Sequence, residues 1–294
     1  MTKELTILSG KGGTGKTTIT AALASLMTNA VFSDCDVDAA DMHLLLHPEI
    51  YEKHTFESGT HAEIDIKLCT RCGICESACR FDAITVDKRG NYVIDPFLCE
   101  GCRLCERICP ADAITANPAM NNFWYVSNTR FGKLVHAHMG PGEENSGKLV
   151  ATVRQKAREI ARAEKLNFIV NDGPPGIGCP VISSLTGVDL VLMVIEPSKS
   201  GLHDIIRLSG LTKKFNIPSI AIINKFDLNE NYSVKIAQQL TESGIELAGL
   251  VPFDKTVVEA MVAGKTITEY SPGSIVAKEI DAIREKVFGT LVGE

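Results

Sequence analysis

The 294-residue chain lacks three features that would narrow its function early. It has no basic excess: 30 Lys and Arg face 36 Asp and Glu, a net charge of −6. Nucleic-acid binders usually carry clustered positive charge, so no nucleic-acid partner is expected. No apolar run approaches the roughly 18 residues of a membrane-spanning helix. Leu190–Ile195 is among the longest, and no stable membrane association is expected. The first residues, MTKELTILSG, show no basic-then-apolar export pattern, which leads to the expectation of a cytoplasmic protein. Apolar residues make up 45 %, enough for a sizeable core, and the length suits about two domains. What the chain has in quantity is cysteine, ten residues in all. Inside a reducing compartment that points to metal or redox chemistry, not to disulfides.

Eight of the ten lie between positions 69 and 109, in two runs. Cys69, Cys72, Cys75 and Cys79 form the first, and Cys99, Cys102, Cys105 and Cys109 the second. Both read C-x2-C-x2-C-x3-C, the second starting 30 residues after the first. Asp82-Ala-Ile-Thr85 recurs as Asp112-Ala-Ile-Thr115, so one small unit is duplicated. Three cysteines two residues apart wrap the chain around one cubane face, and the fourth points to the other cluster. One [4Fe–4S] cluster is therefore assigned to Cys69, Cys72, Cys75 and Cys109, and a second to Cys79, Cys99, Cys102 and Cys105. Zinc sites generally use two separated C-x2-C knuckles, which duplicated triple cysteines fit poorly. The segment 62–117 resembles the bacterial two-cluster ferredoxins, with one departure. Pro110 follows Cys109 as in that family, but Arg80 follows Cys79. A cation there should favour the reduced cluster, so Arg80→Pro is expected to lower one potential.

Around this block the pattern is α/β. The short apolar run Leu5–Leu8 precedes Gly10-x4-Gly15-Lys16-Thr17, and the apolar stretch Ile19–Met27 follows. That is a P-loop in its required strand-to-helix setting. Gly10, Gly12, Gly13 and Gly15, with Thr14 and Thr18, would turn backbone N–H groups toward phosphate. Lys16 would neutralise the β- and γ-phosphates, and the Thr17 hydroxyl would ligate Mg²⁺. Val31-Phe-Ser-Asp34-Cys-Asp36-Val-Asp38 is an apolar strand ending in acids that alternate onto one side. Phe168-Ile-Val-Asn-Asp172 runs into a glycine- and proline-rich turn.

Lys11, inside Gly-Lys-Gly-Gly-Thr-Gly-Lys-Thr-Thr, makes the loop resemble the deviant Walker A motif of the MinD, ParA and nitrogenase iron protein superfamily. The resemblance implies a homodimer that sandwiches two Mg·ATP, with Lys11 reaching the nucleotide of the facing subunit. It also implies that Asp36 orients or deprotonates the attacking water and that Asp34 supports the Mg²⁺ shell. Asp172 would hold Mg²⁺ through water, beside a switch turn. For the base, the resemblance points to Asn224, Pro252 and Asp254 around adenine. However, Asn224-Lys225-Phe226-Asp227 also satisfies the N-K-x-D by which many GTPases read guanine, which keeps GTP as an alternative.

Later segments alternate strand and helix: Asp189–Ile195, Leu202–Phe215, Ser219–Ile223, Val234–Ser243, Glu246–Val251 and a closing helix near Ser274–Phe288. This predicts a mostly parallel sheet with helices on both faces. Phe123–Thr129 and Lys133–Met139 read as two strands, followed by a loop at 140–147 and a helix over Lys148–Lys165. The expected arrangement is a discontinuous P-loop ATPase domain, 1–60 and 118–294, interrupted by a small α+β ferredoxin domain, 61–117. Cys35 reads as a core residue. Cys179 lies where nitrogenase iron proteins carry an interface cluster ligand, but Lys133–Lys148 lacks the second cysteine such a cluster needs, so Cys179 reads as a core or helix-start thiol, with a shared cluster or interface contact as the alternative. His136 and His138 read as a partly exposed strand face. The closing helix has balanced charges, which favours packing on the domain over membrane targeting. The leading expectation is an ATP-driven redox switch that serves a redox partner. The alternatives are a carrier that passes clusters to apo-iron–sulfur proteins and a redox-sensing regulator.

Overall fold

In the computed structural model, residues 2–57, 59–118, 122–140 and 146–293 are described. Residues 141–145 of the loop expected at 140–147 lie outside them. Strands β1 (Lys3–Ser9), β2 (Ala30–Asp34), β3 (Glu49–Phe56), β4 (Thr60–Ile64), β5 (Ile84–Val86), β6 (Tyr92–Ile94) and β7 (Ile114–Pro118) fall in the first 118 residues. Strands β8 (Asn122–Thr129), β9 (Gly132–His138), β10 (Phe168–Pro175), β11 (Leu190–Ile195), β12 (Ser219–Asn224) and β13 (Glu246–Val251) follow. Nine of them form one sheet in the order β13-β12-β11-β1-β10-β2-β9-β8-β3. Every pairing from β13 across to β9 is parallel.

The sequence of β11 explains the layering. All six of its residues are buried, and they divide by alternation. Leu190, Leu192 and Val194 join the core on one face, packed with Leu23 of α1 (Lys16–Ser25), Met42 of α2 (Met42–Leu46) and Ile280 of α11 (Ile275–Val292). Val191, Met193 and Ile195 join the core on the other, with Leu185 of α6 (Cys179–Leu185), Leu208 of α7 (Lys199–Lys214) and Ile236 of α8 (Glu230–Glu242). Two-sided burial of this kind is what makes parallel strands read as continuous apolar runs. Each such aliphatic side chain contributes roughly 1.5–3 kcal/mol of transfer free energy. The closing helix α11 buries Val276, Ala277, Ile280, Ile283, Val287 and Leu291, so its apolar stripe is spent on the core.

Register brings the P-loop strand to the acids. Ile7 of β1 lies opposite Asp172 of β10, which lies opposite Asp34 of β2. The β1–β10 register slips between Ile7 and Ser9, where β1 opens into the P-loop.

By contact density the chain divides into two units. One comprises Met1–Lys53, Tyr125–Ala137 and Gly147–Glu294; the other comprises His54–Trp124 and His138–Ser146. The boundary thus falls inside β3, β8 and β9 and at the first residue of the helix Ser146–Ala163, outside the cysteine block itself. In the second unit β4 pairs antiparallel with β7, and β5 with β6. The sequence duplication recurs in backbone conformation: φ is positive at Arg71 and Gly101, at Gly73 and Arg103, and at Asp82 and Asp112. A Cβ at Gly101 would lie 2.3 Å from the Thr60 carbonyl oxygen, so only glycine fits there. The halves also interlock. Asp65 N–H donates to the Ala113 carbonyl and Asp95 N–H to the Ala83 carbonyl, both at 2.8 Å.

Candidate nucleotide site and cysteine clusters

Lys16 opens α1 directly after Gly15, whose φ of 89° is left-handed. A Cβ at Gly15 would meet the Asn224 amide nitrogen at 2.3 Å, which explains the glycine. Lys16 Nζ lies 2.9 Å from Asp172 Oδ2 and 3.6 Å from Asp36 Oδ2. Thr17 and Thr20 each donate a 2.7 Å hydrogen bond to Asp172, one to each oxygen. Asp34 is fully buried and accepts the Asp36 and Met42 N–H groups, both at 3.1 Å. It thereby shapes the turn that carries Asp36.

Three carboxylates around one lysine perturb each other. Burial works to lower the Lys16 pKa, but Asp172, Asp36 and Asp34 outweigh it and leave the ammonium held above its usual value. Burial, then repulsion from Asp172, raises Asp34 well above the carboxylate range. Burial pushes Asp36 up to about 6 against the pull of Lys16. A crowd of buried carboxylates beside a hydroxyl and a P-loop lysine is a donor set that suits Mg²⁺ and a polyphosphate.

A cavity of about 510 Å³ opens along this site. Gly12, Gly13, Thr14, Gly15, Lys16, Thr17, Thr18 and Asp36 line it, as do Asn224, Lys225, Pro252, Phe253 and Asp254, with Val257, Met261 and Ile280 among its apolar lining. Gly10, Lys11, Asp34, Asp172 and Asp227 lie outside the wall. Lys11 is instead drawn to its own subunit's Glu196, at 2.8 Å, and donates to Ser198 Oγ at 3.4 Å. Glu196 is 3.5 Å from Lys225 as well, and the two lysines hold its carboxyl below the usual range despite burial.

The cysteines of the second unit line two separate cavities. One, about 310 Å³, is bordered by Cys75, Cys79, Cys99, Cys102 and Cys105, and by Arg80. The other is bordered by Cys69, Cys72, Cys75 and Cys109, with Pro110. At about 20 Å³ it has room for roughly one water. Cys75 and Cys105 have thiols pushed up by burial and by neighbouring cysteines of their own runs. Among the described residues no group of three or more His, Cys, Asp or Glu is already drawn together as a metal cage. The cysteines nevertheless supply the soft thiolate donors that iron–sulfur clusters take, at least four to a cavity.

The family pattern described as the CobQ/CobB/MinD/ParA nucleotide binding domain matches residues 5–267. The chain belongs to this family. It is similar to the Uncharacterized protein MJ0578 of Methanocaldococcus jannaschii, 35 % identical over 289 residues that cover 97 % of this chain and 96 % of that one. An iron-sulfur cluster carrier protein of Pyrococcus furiosus is 28 % identical over 161 residues, 49 % of this chain and 53 % of its own. Among solved structures, the septum site-determining protein MinD of Pyrococcus horikoshii OT3, complexed with Mg-ADP, superposes with a TM-score of 0.59. That likeness covers 98 % of this chain and 96 % of MinD at 19 % identity, and shows the shared fold. The chain is thus a MinD/ParA-type nucleotide-binding ATPase.

Against that family background, several contacts lay beyond sequence reasoning. Glu196, Phe253 and Met261 carried no motif, although Glu196 follows directly on a parallel strand's carboxyl end, where α/β ligand sites gather. Asn224 donates its amide to the Thr14 carbonyl at 2.7 Å, and Asp254 caps α9 (Lys255–Val262) by accepting the Thr256 N–H at 2.8 Å. Cys35 is fully buried, and burial pushes its thiol up to about 12. Cys179 is exposed at the start of α6.

His136 departs from its expected place. The ring is buried, accepts or donates a 2.9 Å bond with Ser127 Oγ, and stacks between Tyr125 and His43. Burial pushes the imidazole down to about 4. The expectation was a partly exposed strand face, whereas β9 lies inside the sheet between β2 and β8 and His136 is covered. His138, two residues on, is exposed. Among the described residues, no helix is long and apolar enough to cross a membrane.

Proposed function

We propose that this chain is an Mg·ATP-hydrolysing homodimer whose nucleotide state governs electron transfer through two [4Fe–4S] clusters held in an inserted ferredoxin-type module. The observation that carries the reading is the cysteine partition. The smaller cavity is lined by the first three thiols of one run with the last of the other; the larger is lined by Cys99, Cys102, Cys105 and Cys79, with Cys75 on both walls, a grouping that supports the crossed pattern of two-cluster ferredoxins. Pairing of β4 with β7 supports it, because it brings the ends of the module together and suits insertion into a host domain. Cys69, Cys72, Cys75 and Cys109 would hold one cluster, and Cys79, Cys99, Cys102 and Cys105 the other. When bound, each cluster takes up and releases one electron.

The chain's own residues would do the rest. Backbone N–H groups of Gly12–Thr17 and the Lys16 ammonium bind the phosphates, and Thr17 with Asp172 holds Mg²⁺. Asp36, whose Oδ2 lies 3.6 Å from the Lys16 ammonium, directs water at the γ-phosphate. Lys11 exchanges Glu196 for the nucleotide of the facing subunit when two chains close, adding positive charge where the transition state develops negative charge.

The test is anaerobic reconstitution, with iron counted in single variants, followed by EPR-monitored redox titration with and without Mg·ATP. Cys109→Ser and Cys79→Ser should each remove about four of about eight irons per chain, despite lying in opposite runs. A potential or relaxation rate that shifts with nucleotide supports coupling. Identical titrations refute it.

A second reading has an observation of its own. Relatives named as iron-sulfur cluster carrier proteins match 38–49 % of this chain, which favours a carrier that donates clusters to apo-proteins. The full thiol complement of each quartet argues for retention. Loss of iron to an apo-acceptor in the presence of a chelator would decide for the carrier.

A further inference from the structure

Two helices that line the nucleotide cavity are held by one arginine from outside it. Leu44 and Leu45 of α2 and Ile267 of α10 (Ile267–Tyr270) belong to the lining; Arg130 does not, and lies in the two-residue turn between β8 and β9. Arg130 Nη2 donates to the Leu45 carbonyl at 2.8 Å. Its Nε and Nη2 donate to the two Glu269 carboxylate oxygens at 2.6 and 2.7 Å. Glu269 accepts in turn from the Thr266 N–H and hydroxyl, both at 2.9 Å, and so caps α10. Burial works to raise the Glu269 pKa, but the bonds from Arg130 and Thr266 outweigh it and bring it down to about 2. The turn is set by its own bonds. The Thr129 hydroxyl donates to the Gly132 carbonyl at 2.7 Å and accepts the Phe131 N–H at 3.2 Å, and the guanidinium lies 4.4 Å over the Phe131 ring.

From this geometry we infer that Arg130 is a positioning residue that staples α2 and α10 to the β8–β9 turn, and so carries a change at the nucleotide into the two strands that run to the cysteine-bearing unit. Its use there rests on the reading that nucleotide state governs the clusters. The near end of α2 is fixed at the site itself. The Met42 N–H donates to Asp34 Oδ2 at 3.1 Å, and Asp34 also holds the N–H of Asp36, whose carboxylate faces Lys16. The five residues of α2 span roughly 7.5 Å and leave no slack between Asp34 and Arg130. A shift of residues 36–42 around Mg²⁺ and phosphate therefore moves the Leu45 carbonyl and the turn bonded to it. From that turn β8 and β9 run past Tyr125 and Ala137, where the first unit ends. A planar fork of N–H groups suits this task, because it reaches a carbonyl and both oxygens of a carboxylate at once. His47, at the far end of α2, makes a separate 2.8 Å bond from Nε2 to the Gly264 carbonyl, which keeps α2 beside α9 when Arg130 is replaced.

Hydrogen–deuterium exchange of the full-length protein, read by mass spectrometry with and without Mg·ATP, tests this. In the wild type Mg·ATP should slow exchange across the P-loop, and across Tyr125–Ala137 by about fivefold or more, the low end of coupling between two sites. In Arg130→Gln the P-loop response should persist, while the Tyr125–Ala137 response falls below about twofold. ATP affinity there should stay within about threefold of wild type. Arg130→Lys keeps the charge beside Glu269 but not the fork, so it should lose the Tyr125–Ala137 response as well, which a purely structural charge would not do. A wild type whose Tyr125–Ala137 exchange ignores the nucleotide would overturn the inference. So would either variant, folded, responding as the wild type does. A Tyr125–Ala137 response in the wild type beside cluster potentials that ignore nucleotide would refute the electron-transfer reading and support the staple. No P-loop response in the wild type refutes the ATPase reading, and this inference with it.

Discussion

Replacing Arg154 by methionine should destabilise the protein by about 3 kcal/mol, the lower end of what breaking a buried ion pair costs. The magnitude follows from what the guanidinium touches. Arg154, on α5 (Ser146–Ala163), is 3 % exposed. Its Nε and Nη2 donate to Glu4 Oε1 at 2.9 and 2.5 Å. Its Nη1 reaches the Ser183 carbonyl at 2.6 Å, and Nη2 the Thr186 carbonyl at 3.0 Å, both in the α6 region. Methionine fills similar space but leaves those acceptors without the guanidinium. Arg158, at 2.7 Å from Glu4 Oε2, and Asn171, at 2.8 Å from Oε1, still stabilise the carboxylate, which keeps the cost from reaching the upper end. Urea unfolding followed by far-UV circular dichroism measures the loss as a lower midpoint with unchanged slope. A Glu4→Met/Arg154→Met double variant should lose clearly less than the sum of the single variants, since no buried charge is then stranded. Asn171 precedes Asp172 in β10, so ATP turnover should fall in Arg154→Met along with stability. A loss below about 1 kcal/mol, or strictly additive single losses, would refute the reasoning.

Lys16→Ala removes the ammonium that faces Asp172 and Asp36, and should cut steady-state ATP hydrolysis by about 100-fold or more in a phosphate-release assay. Asp36 has its folded pKa raised to about 6, so its protonated form is favoured by folding. Its contribution to stability is therefore full below the unfolded value of about 3.9 and lost as pH rises through about 6. Thermal melts without Mg²⁺ or nucleotide should show that decline, and Asp36→Asn should flatten it. Alkylation of the cluster-loaded protein at neutral pH, read by mass spectrometry, should label exposed Cys179 and spare Cys35, whose thiol is buried and held near 12. Arg80 borders the larger cysteine cavity, so Arg80→Pro should shift one EPR-detected potential downward and leave the other in place.

The legible part of this protein was short-range. Spacing of two and three residues between cysteines constrains which thiols can share a metal, and Gly-x4-Gly-Lys-Thr constrains which amides can face a phosphate. The two-faced parallel sheet was legible for the same reason, because β11 and β12 are apolar on both alternating sides. What the sequence could not assign were bonds between residues far apart in the chain. Lys11 meets Glu196 across 185 positions, and Asp227 meets Phe253 across 26. His136 looked like surface until β9 was placed between β2 and β8. A side chain's partner in such cases depends on which strands become neighbours, and no local pattern encodes that order. The sequence by itself therefore determined the nucleotide-binding family of this chain and which donor groups its motifs supply. Its tertiary structure decided which lysine each carboxylate holds, and which backbone groups Asn224, Lys225 and Asp227 bond.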